Sequence, residues 1–358
     1  MITYVIDGTI LSPVHIGTGD ELNPFDYIIR DGTFIRFQLE TVLSALSEED
    51  LDTFYRLNDE GDINRLRQFI SERVDENKHA CYMAAVTPMV ARQYMQKIHD
   101  ISNQLIINPT IRDGHAFRPY IPGSSLKGAI RTAVVSELAQ ETSGLDPHDR
   151  NFKWEVELKV LKYGKEGHGG RLRADMGRDP FRMIKIRDIL LEQNDVMVTF
   201  VRNMGRNRTG QLTASRMQMI HEVLLSEVMG KLVSFSGELL YDKDLAGKNH
   251  IRRTDITPEY ILNACNAFYI PKLEEENEKF YERSEVEPAS SALLKVAARL
   301  KPDECLVRVG RFSGCESVTL DKYRNVEFGG RTNVGGNTRN VCEERYPMGW
   351  IKLKITPA

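Results

Sequence analysis

The sequence has no long hydrophobic run. No stretch approaches the roughly 18 consecutive apolar residues that a membrane-spanning helix needs. The first residues, MITYVIDGTILSPVHIG, have no basic flank before the apolar part and no small-residue cleavage site after it, so they favour a strand over a secretory signal. These absences predict a cytoplasmic protein that has no membrane partner.

Cysteine is scarce and unpaired. Five of the 358 residues are cysteine, an odd number, and no two form a Cys-x-x-Cys pair, so neither a disulfide framework nor a zinc site is indicated. Buried free thiols are the interpretation that this spacing favours. The sequence also lacks a Walker phosphate loop, an H-x-x-x-H pair and a Ser/His/Asp set. We therefore expect no metal, no other cofactor and no catalytic nucleophile.

Charge is nearly balanced over the whole chain, with a formal net charge of −3. The balance hides local asymmetry. Residues 150–187 hold eleven Lys/Arg against five Asp/Glu, and residues 202–216 hold four arginines and no acid. Residues 274–287 hold seven glutamates against two basic residues. Such clustering can place a basic face on a nearly neutral protein, although each run alone is also typical of a solvated loop.

Secondary-structure signals place strands at both ends of the chain. Residues 2–16 alternate apolar and polar side chains, and residues 351–355 form a closing strand. Asp31-Gly32 separates two short apolar runs and predicts a β-hairpin. Residues 38–105 have the composition and spacing of helices.

The second half of the chain also mixes the two types of element. Residues 196–201 and 232–241 are predicted as strands. A helix is predicted after Thr257-Pro258, and residues 272–300 are mostly helical. No repeat of 20–50 residues is present. The order of elements predicts an α+β fold.

The most distinctive segment is PYIPGSSLKGAIR, residues 119–131. Ser124 or Ser125 is predicted to cap a helix there. The free amides and dipole at such a helix start favour an anion, and Lys127 and Arg131 lie one turn apart on one face. A phosphate could therefore meet amides, hydroxyls and two cations together. A capped helix that carries surface bases is an equally weighted alternative.

Two later glycine-rich segments are candidates for close contact with a ligand. Residues 307–314, VRVGRFSG, place small residues beside Arg311 and Phe312, which could supply charge and stacking. Residues 329–337, GGRTNVGGN, place Arg331 in a similar setting. The alternatives are a β-turn with nothing bound and a long turn, respectively.

Residues 202–210, RNMGRNRTG, concentrate three arginines and two glycines. This composition suits a flexible arm that grips phosphates. A disordered surface loop is the alternative. Residues 162–178 are similar in composition, and there a mobile loop is favoured.

Taken in order, these segments resemble the RAMP superfamily, the repeat-associated proteins of CRISPR effector complexes. The most specific part is residues 119–133, and the resemblance covers most of the chain except 40–110 and 240–300. Length and the helical stretch before 119–133 favour the members found in type III-A, or Csm, complexes. The other segments that carry it are LSPVHIGTGDEL (11–22), DYIIRDG (26–32), DPFRMIKIRD (179–188), the stretch 200–230 and VRVGRFSG (307–314).

The resemblance implies a modified RRM-like or ferredoxin-like palm in a single domain spanning residues 1–358. It also implies a helical insertion at about 40–110, a protruding thumb at about 200–230 and a second helical region at about 255–300. Met204 is then the apolar residue near the tip of the thumb, where it could insert between bases.

The function implied by the resemblance is an end-capping backbone subunit that holds the 3′ part of a guide RNA, contacts target RNA and aids maturation of the guide's 3′ end. Its partners would be the repeated RAMP backbone subunit, the small helical subunit and host nucleases. Because the stacking aromatics of a typical RRM are absent, phosphate gripping is expected rather than base reading. The residues predicted to contact RNA are His15, Gly123, Ser124, Ser125, Lys127, Arg131, Arg202, Met204, Arg206, Arg208, Arg311 and Arg331.

Two other functions stay open. By the resemblance, the repeated backbone subunit cleaves its target with an aspartate in its early loop, and Asp26 lies in the matching region here with His15 nearby. A metal-dependent RAMP endoribonuclease that cuts guide precursor or target RNA is therefore one alternative. A hydrogen-bonded His15 that holds the loop or touches RNA is favoured over it. The other alternative is a structural subunit that contacts protein and hardly any RNA. We expect a non-catalytic RNA-binding subunit.

Overall fold

The computed structural model describes residues 1–98, 100, 104–145, 152–320 and 335–358. Its first and last strands lie side by side in one sheet. The strands are β1 (Ile2–Ile10), β2 (Tyr27–Arg30), β3 (Thr33–Phe37), β4 (Ala80–Val86), β5 (Ile107–Asn108), β6 (Tyr120–Ile121), β7 (Gly164–Glu166), β8 (Leu172–Ala174), β9 (Ile184–Ile186), β10 (Ile189–Leu190), β11 (Val196–Arg206), β12 (Leu212–Leu224), β13 (Val233–Tyr241), β14 (Glu304–Arg308), β15 (Thr338–Cys342) and β16 (Trp350–Pro357).

Helices fill most of the segments between these strands. A π-helical turn, Asn277–Tyr281, continues directly from the end of one of them. Within the described ranges, no helix combines the length and apolar composition needed to cross a membrane. The α-helices are α1 (Leu39–Ser44), α2 (Glu48–Asp59), α3 (Ile63–Arg73), α4 (Glu76–His79), α5 (Pro88–Lys97), α6 (Gly123–Glu141), α7 (Phe152–Val160), α8 (Asp244–Lys248), α9 (Pro258–Glu276) and α10 (Glu287–Ala297).

The first sheet has the strand order β14-β16-β1-β13-β9. β1 pairs antiparallel with β13 on one side and β16 on the other, so the N-terminal strand is central. Ile6 and Ile10 on β1 are fully buried in the same core as Leu126 and Ile130 of α6. Each such side chain contributes about 1.5–3 kcal/mol when it is fully buried. The strands predicted at the two ends of the chain are confirmed.

The second sheet has the order β2-β3-β4-β11-β12-β5, and β15 pairs with β11. β2 and β3 form the predicted hairpin. Asp31 and Gly32 at its turn have φ values of 50° and 74°, the left-handed conformation that a tight two-residue turn requires. The resulting mixture of sheets and helices confirms the predicted α+β class.

β4 interrupts the stretch at 38–105 that the sequence predicts as helical. Along β4, Tyr82 and Ala84 are buried whereas Met83 and Ala85 are exposed, which is the two-residue period of a strand. Hydrogen bonding to β3 on one side and to the beginning of β11 on the other outweighs the helical propensity of its alanines.

β11 and β12 form a long hairpin in the region predicted as a flexible arm. β11 pairs with β12 as far as Arg206, apart from an irregularity between Arg202 and Met204. β15 pairs with the other edge of the same stretch of β11. The expectation of a flexible arm at 202–210 is therefore wrong for residues 202–206, because two neighbouring strands satisfy the backbone groups that a loop would leave to solvent. Within the hairpin, residues 207–211 form the turn and lie outside the strands.

Candidate nucleic-acid interface

Three separate segments converge on one surface groove of about 500 Å³. They are the loop after β1, the first half of α6 and the loop after β14, each of which the sequence singles out. Small side chains and backbone form much of the lining, which lets the backbone of a ligand approach closely. The lining includes Gly17, Gly19, Ser125, Gly128, Thr132, Arg308, Gly310, Arg311 and Ser313.

Gly310 brings the loop after β1, called the early loop below, into contact with the loop after β14, called the late loop. Its φ is +92°, and a Cβ built on it would lie 2.5 Å from the carbonyl oxygen of His15. The amide of Arg311 donates a hydrogen bond of 2.9 Å to the same oxygen. Glycine alone combines this backbone conformation with this approach. The contact leaves the exposed side chain of Arg311 at the groove.

The first backbone amide of α6 has a hydrogen-bond partner within the protein. The helix begins at Gly123, before either serine, so neither Ser124 nor Ser125 caps it as predicted. The amide of Gly123 donates to Asp188 Oδ1 at 2.8 Å, and a carboxylate therefore already satisfies this amide. A Cβ at Gly123 would lie 2.0 Å from the carbonyl oxygen of Ile186, so glycine is required for α6 to pack against β9.

α6 carries its predicted contact residues on two different faces. Ser125 lines the groove together with Gly128 and Thr132, at the spacing of residues that share a helix face. Lys127 and Arg131 are one turn apart on another face and do not line the groove. The phosphate site predicted from these serine and basic residues together is therefore split, because each residue advances about 100° around a helix.

Arg131 is engaged by acids of the same chain. Its guanidinium pairs with Glu157 and, at 2.9 Å, with Asp179. It also lies 4.8 Å from the ring centroid of Phe181. These contacts join α6 to α7 and to the segment before β9. The guanidinium is thus engaged within the chain, and contact of this residue with RNA stays a prediction.

His15 belongs to a buried pair of histidines. It is 2% exposed, and its Nδ1 donates to the carbonyl oxygen of Glu222 on β12 at 2.8 Å. Its ring centroid lies 4.5 Å from that of His221, and Phe312 packs against both rings. Burial lowers the pKa of His15 to about 4 and that of His221 to about 3, so both rings are neutral near pH 7. This geometry matches a hydrogen-bonded histidine that holds the early loop.

Asp26 shapes the turn before β2. It accepts a hydrogen bond from the amide of Asn23 at 3.0 Å, and its carboxylate lies 3.6 Å from the guanidinium of Arg36. Across the described residues, no three His, Cys, Asp or Glu side chains are grouped as metal ligands. The contacts of Asp26 are those of a turn-forming residue.

The arginines of the β11–β12 hairpin mostly fasten it to its neighbours. Arg206 donates to the carbonyl oxygen of Lys279 at 2.9 Å, and Arg202 pairs with Glu344. Both guanidinium groups are thus engaged within the chain, and their contact with phosphates stays a prediction. Arg208, at the turn, is exposed.

Met204 is buried and does not lie at an exposed tip. It is 5% exposed and packs with Phe280, Tyr281, Val286 and Val341. Alternation along β11 turns it toward the π-helical turn and β15. Its side chain fills a small core of the protein itself, and insertion of Met204 between bases stays a prediction that this burial does not favour.

A buried cluster of charges supports the base of the late loop. Arg308 pairs with Glu276, and Arg339 pairs with Glu276 at 3.1 Å and with Glu316 at 2.9 Å. Burial alone would raise the pKa of Glu316, but the Arg339 guanidinium lowers it to about 2. The sequence gives no sign of this cluster, because Glu276 lies in a run of glutamates that is typical of a solvated surface.

The second glycine-rich segment is described only in part. Arg331 lies outside the described residues. Gly336, near the end of the segment, donates its amide to Glu316. The end of this segment therefore attaches to the buried charges under the late loop.

The fold and the groove define an α+β protein in which loops from both ends of the chain meet a helix to form a glycine-lined surface. A model of the RAMP superfamily matches residues 8–315, and the chain belongs to this family. The family resemblance inferred from the motifs is confirmed.

Two curated relatives carry the name CRISPR system Cms protein Csm5. The chain is 30% identical to the one from Methanocaldococcus jannaschii over 199 residues, which cover 53% of this chain and 43% of that protein. It is 29% identical to the one from Streptococcus thermophilus over 140 residues, which cover 37% and 38%. The matches thus span less than half the length of these curated relatives.

Solved structures share the fold over nearly the whole chain. One is a chain in the cryo-EM structure of a Csm–crRNA–target RNA ternary complex of a type III-A CRISPR-Cas system, with a TM-score of 0.70, 19% identity and coverage of 99% of this chain and 100% of that one. Another is the crystal structure of T. onnurineus Csm5, with a TM-score of 0.65, 18% identity and coverage of 96% and 99%.

Proposed function

We propose that this chain is a guide-RNA-binding backbone subunit of a type III-A CRISPR effector complex. Membership of the RAMP superfamily and similarity to proteins named Csm5 support the assignment. The observation that carries it is the groove in which the loop after β1, α6 and the loop after β14 meet. Those are the segments through which the sequence resembles the family.

The groove suits the sugar-phosphate backbone of RNA. Its described lining includes the exposed Arg311 and hydroxyls such as those of Ser125, Thr132 and Ser313, and no acidic side chain. The other lining arginine, Arg308, is buried and pairs with Glu276. Glycines bring the backbone to the surface of the groove, where a phosphate can approach closely. Contacts of this kind position a strand without reading its bases, as a subunit that accepts guides of any sequence requires.

The subunit caps the end of the backbone and holds the 3′ part of the guide. Its partners are the repeated RAMP subunit, the small helical subunit and, through the guide, target RNA. In this proposal the palm is ferredoxin-like, and one domain spans residues 1–358. Helical insertions lie at about 40–110 and 255–300 and a thumb at about 200–230. RNA contacts beyond the groove include the exposed Arg208.

The subunit acts without cleaving RNA and aids guide maturation by positioning the 3′ end for host nucleases. Asp26 and His15, the residues that would serve an endoribonuclease, are engaged in contacts that hold the early loop and the turn before β2. We expect Asp26→Ala to leave the amount of RNA cleaved by the assembled complex unchanged. Loss of cleavage with unchanged RNA binding would instead favour the endoribonuclease.

Reversal of one charge in the groove tests the proposal. Arg311→Glu should weaken binding of an about 30-nucleotide single-stranded RNA roughly tenfold and about equally for all sequences. It should also reduce the slope of log K against log salt by about 0.7, because one phosphate contact is lost. Fluorescence anisotropy of the full chain at several salt concentrations measures both quantities.

Arg252→Glu is the matched control, because Arg252 is exposed and does not line the groove. It should change affinity and slope much less than Arg311→Glu does. Equal affinities for the wild type and Arg311→Glu would contradict the proposal and favour a subunit that contacts protein alone. A change in sequence preference without a change in slope would contradict phosphate gripping.

A further inference from the structure

Three cations beside α6 have no partner among the described residues. Lys127 on α6, Arg182 before β9 and Lys185 on β9 make neither ion pairs nor side-chain hydrogen bonds within the described ranges. Neighbouring cations are paired: Arg131 contacts Asp179 at 2.9 Å, and Arg187 contacts Glu238 on β13. We call Lys127, Arg182 and Lys185 together the α6 basic face.

Arg182 and Lys185 are near enough to Lys127 to repel its positive charge. Burial lowers the pKa of Lys127, and the charges of Arg131, Lys185 and Arg182 lower it further. Asp179 raises the pKa of Lys127, but its carboxylate already pairs with Arg131 and accepts a hydrogen bond from the amide of Phe181. The α6 basic face therefore carries positive charge that the described residues do not compensate.

This face is distinct from the groove. The groove residues of α6 are Ser125, Gly128, Ala129 and Thr132, and no member of the α6 basic face lines the groove. The site also does not depend on the helix start, since Asp188 satisfies the amide of Gly123. An α-helix with its side chains is about 10–12 Å across, so a strand that leaves the groove needs to travel only a short way around α6 to reach the basic face.

We propose that the α6 basic face is a second phosphate-binding surface, which holds the stretch of single-stranded RNA adjoining the one in the groove. The inference rests on the proposed RNA binding and extends it. Phosphates would relieve the repulsion among the three cations, and such contacts require no particular sequence. The basic composition of residues 150–187 is the sequence signal that points to Arg182 and Lys185.

RNA length separates the two surfaces. An RNA of about 6 nucleotides is long enough to fill one binding surface, whereas one of about 30 nucleotides can span both. The variant Lys127→Gln/Arg182→Gln/Lys185→Gln should bind the 6-mer within about twofold of the wild type. It should bind the 30-mer roughly tenfold or more weakly, with a salt slope smaller by about 2, because three phosphate contacts are lost. Anisotropy of the full chain measures this.

Two further variants guard the interpretation. Arg182→Gln/Lys185→Gln changes only exposed side chains and keeps the half-buried Lys127. Its salt slope should fall by about two thirds of the amount expected for the triple variant, because two of the three phosphate contacts are lost. Lys248→Gln/Arg252→Gln/Lys295→Gln neutralises three exposed cations that lie outside both surfaces. It should change 30-mer binding by less than about threefold, since only the general field of the protein is altered.

The outcomes distinguish the two proposals. Unchanged 30-mer binding by the α6 variants would overturn the second surface and leave an acidic protein segment as the partner of this face. Equal loss for the 6-mer and the 30-mer would also overturn it, because the face would then belong to the groove site. Failure of the wild type to bind either RNA, or no effect of Arg311→Glu, would overturn the proposed function itself.

Discussion

Two glycines show how a single missing methyl group shapes the groove. At Gly310 a Cβ would clash with the carbonyl oxygen of His15, and at Gly123 it would clash with that of Ile186. The first contact joins the late loop to the early loop, and the second seats α6 on β9. Both contacts are between backbones, so no larger residue could make them without moving an element.

At the same scale, the histidine pair makes the stability of the protein depend on pH. His15 and His221 are neutral in the folded state because burial lowers the pKa of each from 6.5 to about 4 and about 3. The contribution of these neutral rings to the free energy of unfolding is therefore complete above pH 6.5. It is lost as the pH falls toward 4, because the unfolded chain binds protons that the folded chain excludes.

We expect His15→Asn to flatten this dependence. Asparagine keeps a side-chain N–H that can donate to the Glu222 carbonyl but does not titrate. Between about pH 6.5 and pH 4, the slope of the unfolding free energy should decrease by about 1.4 kcal/mol per pH unit. Urea denaturation at a series of pH values measures the slope. Parallel curves for variant and wild type would show that His15 takes up its proton equally in both states.

At the scale of elements, the β11–β12 hairpin is secured along its length. β15 pairs with one edge of β11, Met204 packs into a small core, and Arg206 binds the backbone of the π-helical turn. A feature that reads locally as a flexible arm is thus a strand packed against the second helical region. Residues 207–210 remain for contacts with a partner.

Met204→Ala should therefore cost stability. Truncation of a buried methionine costs about 2–5 kcal/mol, because it loses apolar burial and leaves a cavity. Met95→Ala on α5, where the side chain is 67% exposed, should change stability by less than about 0.5 kcal/mol. Urea denaturation measures both. RNA affinity of the folded Met204→Ala protein should equal that of the wild type, and a loss of affinity would restore a direct role for Met204.

At the scale of the whole molecule, the buried charges join distant parts of the chain. Glu276 at the end of α9 binds Arg308 on β14 and Arg339 on β15, and Arg339 also binds Glu316 after the late loop. All four side chains are at most 8% exposed. The cluster thus sets the base of the late loop relative to α9 and to the second sheet.

Removal of one charge should destabilise this arrangement. Glu276→Gln leaves two buried guanidinium groups with one carboxylate, and breaking a buried pair costs about 3–5 kcal/mol. Glu278→Gln, two residues away on the surface, should change the unfolding free energy by less than about 0.5 kcal/mol. Thermal and urea denaturation compare the two. A cost below about 1 kcal/mol for Glu276→Gln would mean that the cluster contributes little to folding.

Local sequence was sufficient for features that depend on neighbouring residues. Alternation predicted β1, Asp31-Gly32 predicted the β2–β3 hairpin, and the segments at 11–22, 119–131 and 307–314 predicted the family and the parts of the groove. Turn chemistry and strand period act within a few residues, so they can be read without knowledge of the fold.

The tertiary structure decided which side chains remain available. Arg131 meets Asp179, which lies 48 residues further along the chain, and Met204 meets the core formed with residues 280–286. β4 is a strand because β3 and the beginning of β11 flank it. These outcomes depend on partners that are distant in sequence, and burial determines whether an arginine or a methionine contacts the protein itself or remains exposed.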